Sequence, residues 1–164
     1  SGQRLYSSPA SYCFQNMPAF SFGAQEIVQQ PGAVMMLAGT AFRVIPTDGR
    51  TPVNQSVKLW FGTSRGRWEG DTLVVEVTNL NGLGWLDSTG QFYSENTRMT
   101  ERWRMVDANT IDYEVTVEDP TIYTRPWKMN LVFYRRTEPN FQLLDYECYA
   151  FALDDEPVVV PGQR

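Results

Sequence analysis

The stretch "MTERWRM" (Met99 to Met105), followed by "TIDYEVTVED" (Thr110 to Asp119), decides the fold. Read with a period of two, one side of the first run carries Met99, Glu101, Trp103 and Met105, and the other carries Thr100, Arg102 and Arg104. With Asp107, Ala108 and Asn109 as a three-residue loop and Asn109 at positive φ, a hairpin register follows. Arg104 then faces Asp112, Arg102 faces Glu114, Thr100 faces Thr116 and Arg98 faces Glu118. The opposite face sets Trp103 against Tyr113, Glu101 against Val115 and Met99 against Val117. One register therefore collects opposite charges on one face and apolar side chains on the other, which supports strands more strongly than propensity alone. Glu101 is the exception, a carboxylate directed inward.

Outward from this hairpin, "EIVQQ", "AVMMLAG", "FRVIP", "VKLWFG", "GRWE", "TLVVEVTN", "WKMNLVFYR" and "QLLDYECYA" read as further short strands. Turn signals separate them, among them Pro31-Gly32, Asp48-Gly49 and Gly70-Asp71. Closing "GRWEGDTLVV" through Gly70-Asp71 sets Trp68 opposite Leu73. With "TEPN" as a loop, the last pair sets Phe133 against Leu144, Leu131 against Tyr146, Met129 against Cys148 and Trp127 against Ala150. About ten strands at regular spacing, without a helical period, predict an all-β chain. The expected architecture is an antiparallel meander closed into a calycin- or lipocalin-like β-barrel, with a β-sandwich as the alternative, because closure removes exposed edges. Residues 1–164 are read as one domain. Its first 25 residues form an extended segment packed on the outside, and 151–164 form a Pro-containing acidic tail.

Composition narrows the chemistry. The 164 residues are 42% hydrophobic and 13% aromatic, enough for one core. The 14 Lys and Arg are interspersed among 19 acids, so no phosphate-tracking stripe exists and nucleic acid is not an expected partner. No apolar run approaches the roughly 18 residues of a membrane-spanning helix. The chain opens on Ser1-Gly2 and not on Met, as expected of a processed chain. There is no histidine, which removes the commonest acid–base group and metal ligand and excludes a Ser–His triad built on Ser94. No GxGxxG or phosphate-binding loop is present, and neither a cofactor nor a metal is expected. Cys13 and Cys148 lack metal-ligand spacing and are read either as a disulfide, the expected state, or as two separate buried thiols. On a chain-entropy model the bridge contributes about 4–5 kcal/mol, and it implies an oxidising compartment.

The segments "SRGRWEGDTLVVEVTN" (Ser64 to Asn79), "TERW", "VDANTIDYEVTVEDP", "YTRPW" (Tyr123 to Trp127) and "DYEC", with "IVQQPGAV" and "IPTDGR", resemble a widespread family of exported bacterial proteins of uncharacterised activity. The resemblance runs from about Cys13 to Cys148 and implies a periplasmic or secreted protein. Many members carry His at the position of Tyr93, and an N-terminal Gly-x-Trp element that this chain lacks.

Candidate site residues fall in three places. Glu101, if buried, must be hydrogen-bonded or protonated, and serves either as an acid–base group or ligand anchor, or as half of a structural pair, for instance with Arg125. Arg125 in "YTRPW", between Tyr123 and Trp127, offers a guanidinium to a carboxylate; the alternative is a stacked Arg at a bulge. The loop Asn81 to Asn96 is long for a connection and carries Trp85, Asp87, Tyr93, Ser94 and Glu95, as in a small-molecule site or in an Ω-loop held by its own aromatics. Glu118, Asp119 and the tail acids are read as solvated.

The leading expectation is a β-barrel that binds an apolar or aromatic small molecule, with Glu101 and Arg125 as anchors and Trp85, Ser94, Trp103, Tyr113 and Trp127 among the contacts. A second is a cofactor-independent lyase, isomerase or cyclase, in which Glu101 or Asp87 moves a proton and Tyr93 or Tyr113 steadies an oxyanion. A third is a surface-assembly module whose N-terminal segment pairs with a neighbour's edge.

Overall fold

A computed structural model describes residues 25–38, 41–51, 53–86 and 91–143. Eight antiparallel strands occur among them: β1 Glu26–Gln30, β2 Ala33–Ala38, β3 Ala41–Pro46, β4 Thr63–Glu69, β5 Thr72–Thr78, β6 Arg98–Asp107, β7 Thr110–Glu118 and β8 Trp127–Tyr134. They form a three-stranded sheet, β1-β2-β3, and a five-stranded sheet, β4-β5-β6-β7-β8, each a meander in chain order. The protein is therefore all-β, with two antiparallel sheets as its hydrogen-bonded units.

Turn chemistry explains the hairpins. Between β1 and β2, Pro31 presets φ and Gly32 takes the φ of 79° that a side chain would resist. Gly70 does the same between β4 and β5, at 64°. The β6–β7 register matches the sequence reading: Arg104 pairs with Asp112, Arg102 with Glu114, Trp103 with Tyr113 and Glu101 with Val115. The turn itself differs from expectation. Asn79 and Asn140 are the non-glycine residues at positive φ among those described, and Asn109 is not one of them. Asp107 accepts the Asn109 N–H at 2.8 Å, and the ladder steps from Met105–Ile111 to Asp107–Thr110, leaving Val106 as a bulge. An Asx turn plus a bulge thus replaces the three-residue loop.

One other expectation changes. "VKLWFG" is not a strand: Leu59 makes one parallel bridge to Leu80, and Gly62 at φ 60° ends any extension. The pairing of "QLLDYECYA" with β8, and the cysteines Cys13 and Cys148, lie outside the described residues. Trp68 pairs with Leu73 as expected.

The core lies where the two sheets meet. Val34, Met36 and Ile45 from the small sheet join Leu73, Val75, Val77, Met99, Trp103, Tyr113, Val115 and Val117 from the large one. Gly66 sits at a close approach of the two sheets. A Cβ there would lie 2.9 Å from side-chain carbons of Ile45 and Thr47, so only a glycine lets β3 settle against β4. On β8, every second side chain from Trp127 to Phe133 is half-buried and packs on this core.

Candidate binding site

Period-two alternation places Glu101 on the inner face of β6 between Val75 of β5 and Val115 of β7. It is 0% exposed. Its charge is met from the other sheet. Arg43, on β3 and 7% exposed, brings Nη1 to 2.8 Å from Oε2 and 3.1 Å from Oε1. The Tyr113 hydroxyl donates to Oε1 at 3.2 Å, and Trp103 Nε1 approaches Oε2 at 3.5 Å. Arg43 Nε donates to Ser64 Oγ on β4 at 2.8 Å. Its other terminal nitrogen, Nη2, is buried without a hydrogen-bond acceptor among the described residues.

The electrostatics follow from burial. A guanidinium cannot lose its charge in a protein, so Glu101 beside it balances the pair to near neutrality. Burial, reinforced by the Glu101 charge, pushes the Tyr113 phenol well above its ordinary range, and it stays a proton donor to Glu101. Aromatic rings enclose one side: Trp103 and Tyr113 lie 4.3 Å apart between centroids, and Phe133 stacks on Trp103 at 5.5 Å.

The pairing of Glu101 with Arg125 expected from the sequence is replaced by Arg43. Arg125 is exposed in the turn before β8, and the alternation of β3 turns Arg43 inward instead. Arg43 and Ser64 were missed. Arg43 shares its strand face with Ile45 in "FRVIP", the same inward-charge signal that singled out Glu101.

The loop residues assemble elsewhere, around Asp119. This carboxylate is 2% exposed. It accepts from Ser94 N at 2.6 Å, Ser94 Oγ at 2.9 Å, Thr97 Oγ1 at 2.6 Å and Thr121 N at 3.0 Å. Burial alone would push its carboxyl up, but the hydrogen bonds from Thr97 and Ser94 outweigh this and hold it below the ordinary value. Asp119 is thus no solvated strand end; it latches the 91–97 segment to the turn after β7. The Ser94 hydroxyl is committed to that latch. Trp85 packs edge-on against Phe92 within the same loop, at 6.0 Å. Tyr93 is buried against Gly84, where a Cβ would meet its hydroxyl at 2.6 Å. Burial pushes its phenol up, partly offset by the Gly84 backbone. Asp87 lies outside the described residues. Glu95 is exposed and 3.6 Å from Lys58. Trp127 begins β8 on the inner face, 5.8 Å edge-on from Tyr123.

The structure therefore brings Glu101, Trp103 and Tyr113 together with Arg43 and Ser64, and gathers Trp85, Tyr93 and Ser94 in a separate latched loop. No group of three or more acidic or thiol side chains placed to hold a metal occurs among the described residues. No helix there is long and apolar enough to cross a membrane. The class defined is an all-β protein of two antiparallel sheets with a buried ion pair between them. Comparisons with family models, curated proteins and solved structures find no match.

Proposed function

We propose that this is an exported, periplasmic or secreted protein of the family its motifs resemble, whose sheets wrap into a calycin-like barrel, or a sandwich of the same hairpins, around a small-molecule site. The ligand is apolar or aromatic and carries one neutral hydrogen-bond acceptor, such as a ketone or amide oxygen. The observation that carries this reading is Arg43 Nη2, a buried donor without an acceptor among the described residues, on the guanidinium that Glu101 shares with Trp103 and Tyr113. A buried polar group left unpaired costs about 1–3 kcal/mol, and a ligand oxygen removes that cost. Because Glu101 already balances Arg43, a ligand carboxylate would add an uncompensated buried charge, whereas a carbonyl would not. The half-buried face of Trp127, Met129, Leu131 and Phe133 supplies the apolar wall. An acid–base enzyme has less support, since both Glu101 oxygens already accept hydrogen bonds from Arg43, Tyr113 or Trp103.

Native mass spectrometry of the purified protein, followed by titration with 2-acetylnaphthalene and with 2-naphthoate, tests the reading. A co-purifying mass, or binding of the ketone at least tenfold tighter than the carboxylate, is expected. An empty protein that binds neither overturns the reading.

A further inference from the structure

The three-stranded sheet carries apolar side chains on both faces, with Arg43 the charged residue of the inner one. Its inner face supplies Val34, Met36 and Ile45 to the core. Its outer face presents Val28, Met35, Leu37, Phe42 and Val44, made adjacent by the pairs Val28–Met35, Met35–Val44 and Leu37–Phe42. Phe42 is 75% exposed, Val44 44% and Leu37 37%. No cation points from this face, and its one acid, Glu26, stands at the corner of β1. Sheets apolar on both sides are covered on both sides.

We propose that residues 1–24 of the same chain dock across this outer face as its cover. Size argues against a second copy: three strands about 4.8 Å apart, with six residues rising about 3.3 Å each, span roughly 300 Å². A stable two-chain interface takes about 800 Å² from each partner. A tethered segment needs less area, because it loses no translational freedom on docking. The segment joins the sheet at Gln25, immediately before β1 and at the edge of the patch itself. Fully extended, it reaches about 80 Å, far beyond the roughly 20 Å length of the patch. Its chemistry fits: Leu5, Tyr6, Tyr12, Phe14, Phe20 and Phe22 with Arg4 as the lone charged side chain. The C-terminal residues fit poorly, since they carry Asp145, Glu147, Asp154, Asp155 and Glu156 and leave from the far end of the other sheet.

The test uses the full chain with the photo-crosslinker p-benzoylphenylalanine at position 42. Irradiation is expected to give a monomeric product whose cross-linked peptide maps to residues 5–22. A covalent dimer, or no cross-link to that segment, overturns the proposal. Phe42→Asp gives an independent readout by hydrogen exchange. Amides of residues 5–22 are expected to exchange at least tenfold faster while β5–β7 are unaffected, and unchanged exchange in 5–22 overturns the proposal.

Discussion

Glu101 and Asp119 are both buried carboxylates, yet they are satisfied in opposite ways. Glu101 is met by a full charge, delivered by a strand 58 residues away in the sequence and belonging to the other sheet. Asp119 is met by neutral hydroxyl and backbone donors, two of them from its own turn and three from the neighbouring loop. The first arrangement exists only when the two sheets are assembled. The second needs only β7 and the loop entering β6. A charge–charge solution therefore reports global assembly, and a dipole solution reports local order.

The sharpest way to break the contrast is to remove one half of the ion pair. Glu101→Ala leaves the Arg43 charge buried and uncompensated, and a loss of about 3–5 kcal/mol in urea unfolding is expected. Asp119→Ala removes an acceptor shared by five donors, for an expected loss of about 2 kcal/mol in the same assay. The double variant Arg43→Met with Glu101→Met removes both charges together. It is expected to stay within about 1 kcal/mol of the parent and to lose the ketone binding. A full additive loss in that variant would mean the two side chains are not coupled. Smallest of all, Arg104→Ala at the exposed Arg104–Asp112 pair, 3.3 Å apart, should cost below about 1 kcal/mol.

The pH profile probes the two sites at opposite ends of the scale. Asp119 titrates below its ordinary value in the folded protein, so its contribution is complete above the unfolded value near ~3.9 and is lost as the pH falls through the folded value. Asp119→Asn should therefore flatten the acid limb of the stability curve below about pH 4, measured by thermal unfolding. Tyr113 titrates above its ordinary value. Stability is then full below about pH 10, where the unfolded phenol begins to ionise, and falls as the pH rises further. Tyr113→Phe should remove part of that alkaline loss.

Much of the fold was legible in the sequence because alternation and charge pairing are local. The β6–β7 register followed from the loop at Asp107 to Asn109. It was checked by Arg102, Arg104, Asp112 and Glu114 on one face and Trp103, Tyr113 and Val115 on the other, and the inward direction of Glu101 followed with it. The partner of Glu101 was not legible. "YTRPW" and "FRVIP" each offer an arginine, and only the packing of one sheet on another selects Arg43. Asp119 was misread because it follows the last residue of β7, where the period ends and a neighbouring loop decides what the side chain meets. The bulge at Val106 was missed for a related reason, since Asp107 closes the turn through its own side chain.

Gly66 sets the spacing at which the sheets face each other. The gap is gauged by an absent atom: because position 66 carries nothing, β3 sits deep enough for Arg43 to reach Glu101 at 2.8 Å. A single methyl at that position would act as a shim, pressing on Ile45 and Thr47 and stretching the ion pair. The strength of the internal pair and the fit of one sheet on the other are therefore coupled through one backbone position, and neither can be retuned without the other.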